Sequence, residues 1–432
     1  MSNSYYGNSN KIRITLANGG LKDIMFVYVI NKNGNSLMPC KSVKAKHLLK
    51  ARKAKIVRRM PFTIQLLWEC EENIQEVIAG MNTGSKKIGC AAITNGKVVY
   101  VSQVELRDDI TTKMTRRRIY RRTRRNRKTR YRECRFNNRA NSKRKERLAP
   151  SVKSKLNSHL REKRFVESIL PVTHWKIELA SFDIHKITNP NVKNYEYQDG
   201  NQKGYYNVKQ YILDRDNYTC QKCKTKNVKL HVHHIIFRSN NGTDEPNNLI
   251  TLCESCHDKL HLGEFTIKGI KSKTKHATEI GIIKLQLKKY FGTFEETFGY
   301  ETKHKREQYL GLSKTHYNDA IVICCEDGEV VDFNNVVYFK KHVAKGDYQQ
   351  TKGIRSEKSI PTGKIQGFRK FDKVEYDNNI YFIKGRMQTG YAILMNIFGN
   401  KIDLKPIPKF NLMKSLSGRK SCMTERTAVN IC

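Results

Sequence analysis

The chain has 432 residues, and its 82 Lys and Arg against 40 Asp and Glu give a formal net charge of +42. An excess of this size favours a polyanionic partner, because each Lys or Arg that meets a phosphate releases condensed counterions. No run of about eighteen apolar residues occurs, and the stretch MSNSYYGNSNKIR lacks an apolar signal core. We therefore expect roughly two to four domains that contact nucleic acid and no membrane.

The N-terminal region predicts a small basic module. We expect residues 1–24 to be a disordered leader and residues 25–73 to form a strand–helix–strand domain. Its first strand turns at Asn33-Gly34 and returns, a basic helix covers 44–59, and a second strand follows in PFTIQLLW. Residues 74–109 then predict consecutive antiparallel strands, because the Asn95-Gly96 pair favours a type I′ turn.

An arginine-rich helix is predicted within residues 110–148. Residues 116–147 carry 17 Lys or Arg and two Glu, and like charges one turn apart destabilise an isolated helix. We expect phosphates to order it, since guanidinium groups contact phosphates bidentately. The candidate nucleic-acid-binding residues are Arg116, Arg117, Arg118, Arg121, Arg122, Arg124, Arg125, Arg127, Arg130 and Arg132.

The rest of the chain alternates helices and strands. Residues 149–200 predict a helix and then a strand, HWKIEL, that contains Glu178. A cysteine–histidine region spans 201–264, and 265–352 predict basic helices up to Leu312 followed by the apolar helix in KTHYNDAIVICC. Residues 353–432 change to short strands with turns, which predicts a small C-terminal β-domain.

Four of the 12 cysteines form two C-x-x-C pairs, a pattern that indicates a metal site in a reducing compartment and not a disulfide framework. The four thiolates of Cys220, Cys223, Cys253 and Cys256 can close a tetrahedral structural Zn²⁺ site that leaves no open position.

The neighbouring histidines therefore require a second role. We expect His233 and His257 to hold a divalent ion with open positions for water and phosphate, and His234 to accept a proton from the attacking water. Asn248 can orient His234 through its amide. We expect His231 and His261 to be structural.

The segment H-H-I-I-x-R-S-N-N-G-x-x-x-x-x-N-L-x-x-L-C-x-x-C-H, preceded by C-x-x-C, resembles the HNH nuclease motif and its ββα-metal fold. The resemblance implies that His234 is the general base, that His233 and His257 hold a catalytic Mg²⁺, and that Asn248 is the central Asn of the motif. Phe237 stands where the motif usually has proline.

Three separated segments flank the arginine-rich helix and the HNH-like region: GMNTGSKKIG, KIELASFDI and KTHYNDAIVI. They resemble the three parts of a split RuvC nuclease domain, and their order resembles the IscB family of transposon-encoded, RNA-guided nucleases. Residues 36–39, SLMP, are similar to the PLMP sequence that names the first domain of that family.

This resemblance implies an α/β multidomain fold. A split ribonuclease H-like RuvC domain would occupy 74–109, 149–200 and 265–352, interrupted by the arginine-rich bridge helix and by an inserted HNH domain with zinc knuckles. The implied partners are an omega-type guide RNA and a double-stranded target DNA with a flanking motif, which the β-domain at 353–432 would contact. The implied assembly is a monomeric ribonucleoprotein that acts in the cytoplasm of a prokaryote.

The resemblance assigns Glu178, His316 and Asp319 as RuvC-type metal ligands, but Asn82 falls where the family has aspartate. RuvC-type chemistry uses two metal ions, and a neutral amide offers one oxygen acceptor and no charge to bridge them. We therefore expect this centre to be inactive, so that the HNH site alone nicks the strand paired with the guide.

Two alternatives remain open. A guide-free HNH endonuclease of the homing or restriction kind explains the HNH-like region but not the arginine-rich helix or the three RuvC-like segments. A non-catalytic RNA-binding protein explains the charge but not the set of His233, His234, Asn248 and His257.

Overall fold

The computed structural model describes residues 26–127, 148–179, 205–237, 244–267, 275–326, 331–332, 336–344 and 363–429. The chain divides into two compact units, Met1–Ala180 with Ile282–Cys432 as the first and Ser181–Gly281 as the second. Within the described ranges no helix is long and apolar enough to cross a membrane. The predicted leader, 1–24, lies outside them.

A four-stranded sheet with one helix forms the N-terminal module of the first unit. Its elements are β1 (Phe26–Ile30), β2 (Ser36–Lys41), α1 (Ser42–Lys50), β3 (Ala54–Arg59) and β4 (Phe62–Leu66), in the strand order β2-β1-β4-β3. The predicted helix over 44–59 is wrong in its second half. The helix ends at Lys50 because Arg52 adopts a φ of 54°, and the β-branched pair Ile56-Val57 continues as strand β3.

A seven-stranded sheet is the centre of the first unit. Its strands are β5 (Ile78–Asn82), β6 (Lys87–Thr94), β7 (Lys97–Glu105), β8 (His174–Glu178), β11 (Glu295–Thr297), β12 (Val336–His342) and β18 (Cys422–Ala428), in the order β11-β8-β5-β6-β7-β12-β18. Strands β5, β6 and β7 form the predicted antiparallel meander, and Asn95 and Gly96 have the positive φ values of the predicted turn. Strand β8 pairs parallel to β5, and β11 pairs parallel to β8.

Helix α8 (His316–Cys324) packs so closely on this sheet that its backbone approaches the backbones of the strands. A Cβ atom at Gly89 would stand 1.6 Å from the carbonyl oxygen of His316, and one at Gly80 would stand 2.5 Å from that of Ala320. Only glycine lets the helix approach so closely. The apolar residues of α8 form a buried core with β6 and β7.

A second helix, α3 (Pro150–Glu167), is tied to the sheet by a buried ion pair. The Lys340 ammonium donates to the Glu162 carboxylate at 2.7 and 3.0 Å, and the hydroxyls of Tyr100 and Ser102 donate to the same carboxylate at 2.8 Å. Although burial opposes ionisation, these donors lower the pKa of Glu162. The pair connects α3 to strands β7 and β12.

The arginine-rich helix α2 covers Ile110–Arg127. Arg130 and Arg132 lie outside the described residues, and the side chains of Arg124, Arg125 and Arg127 are not described. The segment predicted as helical up to Leu312 comprises α6 (Lys275–Tyr290), α7 (Gly299–His304) and a π-helical turn at Lys305–Tyr309. Strand β11 interrupts it, because these residues pair with the edge of β8.

The C-terminal region contains the predicted short strands. A five-stranded sheet in the order β16-β15-β14-β13-β17 is built from β13 (Lys373–Tyr376), β14 (Asn379–Arg386), β15 (Ala392–Met395), β16 (Lys401–Ile402) and β17 (Lys414–Ser417). The last strand, β18, instead joins the seven-stranded sheet beside β12.

The second unit contains a two-stranded hairpin between helices. Its described elements are α4 (Val208–Arg215), β9 (Leu230–His234), a 3₁₀ turn at Pro246–Asn248, β10 (Leu249–Cys253) and α5 (Glu254–His261). Strands β9 and β10 pair antiparallel, with Ile250 opposite His233. Helix α6 begins in this unit and ends in the first.

We expect Gly89→Ala to destabilise the first unit by about 3 kcal/mol, because the new methyl group overlaps the His316 carbonyl and forces α8 away from the sheet. The matched control is Gly281→Ala on α6, where a Cβ meets nothing within 4 Å. That change is expected to stabilise its helix by about 1 kcal/mol. Urea unfolding curves measure both effects, and equal midpoints for Gly89→Ala and the unchanged protein would contradict the packing argument.

Candidate functional site

Four cysteines of the second unit lie together as the sequence predicts. The Sγ atoms of Cys220, Cys223, Cys253 and Cys256 all lie within 4.8 Å of one another. Those of Cys223 and Cys253 are 3.6 Å apart. Tetrahedral Zn²⁺ with Zn–S bonds of about 2.3 Å would place its sulfur ligands about 3.8 Å apart. The cluster therefore has the donor chemistry and spacing of a structural zinc site.

Local backbone geometry positions the two thiol pairs. The first pair occupies a tight turn in which the Lys224 amide donates to the Cys220 carbonyl at 2.8 Å, and Lys224 adopts a φ of 63°. In the second pair, Cys253 ends β10 and caps α5, whose first turn carries Cys256. The end of β10 and the first turn of α5 therefore place the thiols of Cys253 and Cys256 close together.

The pKa values of the thiols differ. Hydrogen bonds from Thr225 lower the pKa of Cys223 to about 6. Burial and the neighbouring thiols raise the pKa of Cys256 to about 12. Four adjacent sulfurs cannot all carry negative charge without a cation among them, and a divalent cation removes this conflict.

Three histidines form a second cluster next to the thiols. His233 on β9 and His257 and His261 on α5 offer nitrogen atoms that all lie within 4.8 Å of one another. The Nε2 atoms of His257 and His261 are 3.3 Å apart. Burial, followed by the neighbouring imidazoles, lowers the pKa of His233 to about 4, so at neutral pH this ring keeps a lone pair available for a metal.

His261 was expected to be structural, yet its ring lies in the imidazole cluster. Residues four apart on a helix share one face, so the spacing of His257 and His261 could have indicated the pair. His231 stacks on His257 with a ring-centroid distance of 5.1 Å.

His234 lies apart from these rings because adjacent strand residues face opposite sides of the hairpin. Its Nε2 atom is 2.7 Å from the Asp244 carboxylate, a partner that the sequence analysis missed. Both residues line a cleft of about 420 Å³, together with Lys209 and His231. Since His231 also stacks on His257, the wall of this cleft adjoins the imidazole cluster.

Asn248 forms hydrogen bonds with the backbone that follows His234. Its Oδ1 accepts from the Ile236 amide at 2.8 Å, and its Nδ2 donates to the Ile236 carbonyl at 3.1 Å. The Asn248 carbonyl also accepts from the Ile235 amide at 2.8 Å. These bonds fix the turn that follows His234, and the expected role of the Asn248 amide in orienting the His234 ring stays a prediction.

A second polar centre lies in the first unit, where three distant segments meet. Asn82 ends β5, Glu178 ends β8 directly opposite it in register, and His316 and Asp319 occupy the first turn of α8. The Asn82 Oδ1 is 2.9 Å from the His316 Nδ1, and the Asn82 Nδ2 donates to the Asp319 Oδ2 at 3.4 Å. The sequence-predicted residues of this centre therefore lie together.

A buried arginine that the sequence analysis missed completes this second centre. Arg306 donates to the Asp319 Oδ1 at 2.6 Å, so each oxygen of the Asp319 carboxylate has a donor. Burial, together with the nearby charge of Asp319, raises the pKa of Glu178, and burial lowers the pKa of His316. Among the described side chains, the thiol and imidazole clusters are the groups of three or more His, Cys, Asp or Glu whose ligand atoms all lie within 4.8 Å of one another.

Known proteins match two parts of the chain. The family described as "RRXRR protein" matches residues 27–200, and the family described as "HNH endonuclease" matches residues 220–262. Over 56 residues the chain is 39% identical to Anaredoxin of Nostoc sp., a stretch that covers 13% of this chain and 74% of that protein.

The hairpin, the following helix and the two metal-binding clusters define a metal-dependent endonuclease, an enzyme that hydrolyses phosphodiester bonds. The chain contains an HNH endonuclease domain, and the residues matched to that family contain both clusters in full. The HNH endonuclease domain implies a DNA substrate. The prediction that the protein is an endonuclease with a divalent metal and a four-cysteine cluster is confirmed.

We expect Cys256→Ser to reduce the zinc content of the purified protein from about one ion per chain to near zero, because three thiolates and a hydroxyl bind zinc much more weakly than four thiolates. The matched control is Cys422→Ser, which replaces a cysteine outside the cluster. Elemental analysis measures the zinc. Equal zinc content in the two variants would exclude the thiol cluster as the zinc site.

Proposed function

We propose that this protein is an RNA-guided DNA nickase of the IscB type. The observation that carries the proposal is the meeting of Asn82, Glu178, His316 and Asp319, which come from three segments far apart in the sequence. The meander β5-β6-β7 continued by parallel β8 and β11 supports a ribonuclease H-like fold around them. The HNH unit is inserted between the second and third segments.

In this proposal the HNH centre cleaves the DNA strand that is paired with the guide. His234 takes the proton of a water molecule whose oxygen attacks the phosphorus, and the bond to the leaving sugar oxygen breaks. Asp244 holds the His234 ring in place through its contact with Nε2. Asn248 fixes the turn that follows. A divalent ion at the imidazole cluster would polarise the phosphate and stabilise the developing charge.

His233, His257 and His261 are the side chains that would hold this ion. We propose Mg²⁺ as the resident ion, in line with the motif. An all-imidazole set of protein ligands also suits zinc, nickel or iron, whereas magnesium prefers oxygen ligands. Magnesium in this site would therefore depend on water and phosphate oxygens for its remaining positions.

The second centre is proposed to be silent because its hydrogen bonds are satisfied without a cation. The Asn82 amide donates to Asp319, which a carboxylate at the same position could not do. Arg306 supplies the positive charge that balances Asp319. Both oxygens of Asp319 are therefore occupied by donors, whereas a two-metal site requires clustered carboxylates with free oxygens.

The guide RNA is proposed to contact helix α2. Nine of its 18 residues are Lys or Arg and none is acidic, and the described side chains Arg116, Arg117, Arg118, Arg121 and Arg122 are all exposed. The helix contains no acidic side chain of its own, so phosphates would be suitable counterions for its exposed guanidinium groups. Guide pairing would then supply the target sequence, and the protein would read a short flanking DNA motif.

We expect His234→Ala to reduce the rate of DNA nicking about a thousandfold, because the reaction loses its general base. Zinc content should be unchanged. The matched control is His276→Ala, since His276 is an exposed histidine on α6 that contacts Glu279 and should leave the rate unaffected. Single-turnover cleavage of a labelled target measures both. A His234→Ala protein that nicks at the full rate would rule out this assignment.

The proposed division of labour predicts the products formed from a supercoiled plasmid that bears the guide-matched target. RNA that copurifies with the protein is sequenced to choose that target. The complex should yield nicked circles, and Asn82→Asp should add linear product, because a carboxylate restores a charged metal ligand at the end of β5. Asn82→Ser is the control that restores no charge.

Three results would count against the proposal. Linear product from the unchanged protein would show that the second centre is active. Cleavage of the same plasmid after removal of RNA would favour a guide-free HNH endonuclease. An absence of cleavage with bound RNA present would favour a non-catalytic RNA-binding protein.

A further inference from the structure

The N-terminal module contains a basic surface that the nuclease centres do not use. From Phe26 to Leu66 the chain has ten Lys and Arg and no acidic residue. Lys41, Lys44, Lys46, Lys50, Arg52, Lys53, Lys55 and Arg59 are all exposed. No salt bridge of the described residues includes Lys46 or Lys50. A surface with this excess of positive charge fits a polyanion.

A groove of about 580 Å³ opens within this surface, between α1 and the sheet. Tyr28 pairs with Thr63, so Val27 and Phe62, one residue earlier on each strand, lie side by side and form its apolar floor. Its other wall is one face of α1, where Ser42, Ala45, Lys46, Leu49 and Lys50 recur at intervals of three and four residues. The groove thus has an apolar interior and two ammonium groups at its edge.

We propose that this groove binds an unpaired nucleotide of the guide RNA, with the base on Leu49 and Phe62 and the adjacent phosphates on Lys46 and Lys50. The inference rests on the proposed RNA-guided function. A base offers a flat apolar face and its backbone offers the anions, so a single strand matches both parts of the groove. A duplex would present its phosphates but keep its bases stacked inside.

An acidic peptide is disfavoured by the charge around the groove. The exposed basic residues continue beyond it along Arg52, Lys53 and Lys55 to the edge strand β3. A peptide segment that fills the groove would leave these charges unpartnered, whereas a nucleic-acid strand carries a phosphate at every residue past the groove.

The test uses the full chain freed of bound RNA and a fluorescent 20-nucleotide uridine RNA as the probe. Lys46→Ala/Lys50→Ala should weaken binding about tenfold at about 0.1 M salt and reduce the slope of log K against log salt by about 1.4, the value for two single-strand phosphates. Phe62→Leu should weaken binding several-fold with an unchanged slope, because it removes only base stacking.

The matched control for the loss of two charges is Lys32→Ala/Lys401→Ala. The ammonium of Lys32 is 3.4 Å from the Glu69 carboxylate, and Lys401 pairs with Asp403, so both lysines have partners and the slope should be unchanged. A slope change equal to that of the groove variant would overturn the proposal, because it would show a diffuse effect of charge.

Photocrosslinking locates the nucleotide. A 4-thiouridine form of the probe should crosslink to peptides that contain Leu49 or Phe62. RNA crosslinks confined to α2 would overturn this inference while leaving the RNA-guided function intact, and a failure of any RNA to bind would overturn both. Equal crosslinking by a 4-thiothymidine DNA of the same length would overturn the assignment to RNA, and crosslinking by an RNA duplex would overturn the assignment to an unpaired base.

Discussion

The contact between α8 and the central sheet is the constraint on which the first unit depends. At Gly80 and Gly89 the helix carbonyls approach so closely that no Cβ atom fits. This approach brings His316 and Asp319 to the ends of β5 and β8, and it buries Ala320, Val322 and their neighbours against β6 and β7. Because the contact is between backbones, it sets the positions of the polar side chains independently of the hydrogen bonds that those side chains form. The buried pair of Glu162 and Lys340 secures the opposite helix to the same sheet.

The two polar centres of the chain differ in how their charge is balanced. In the first unit, a neutral amide and a guanidinium satisfy both oxygens of Asp319. In the second unit, crowded thiols and an imidazole whose pKa is lowered to about 4 offer lone pairs to a cation. A cation therefore stabilises the second arrangement but would have to displace existing partners in the first. This difference supports the proposal that the HNH centre alone cleaves DNA.

Much of this arrangement could be predicted from the sequence, and the failures have identifiable causes. The spacing of the cysteines, the Asn95-Gly96 turn and the apolar helix from His316 are local patterns, and each is present. The helix predicted over 44–59 is wrong because one left-handed residue, Arg52, ends it. Arg306 and Asp244 were missed because a single charged residue forms no recognisable sequence pattern, and because their partners are not their neighbours in the sequence.

The thiol and imidazole clusters share the same structural elements, so a metal ion bound to the thiols would also support the geometry of the imidazoles. Helix α5 carries Cys256 and, next to it, His257, while β10 ends in Cys253 and pairs along its length with the strand that carries His233. A zinc ion that closes the thiols therefore fixes the helix start and the strand end that position the imidazoles. The hairpin and α5 have a small core, made mainly of Leu252 and the cysteines themselves. Because so small a core supplies little stability, a zinc ion bound to the thiols would stabilise the arrangement that brings the three histidines together.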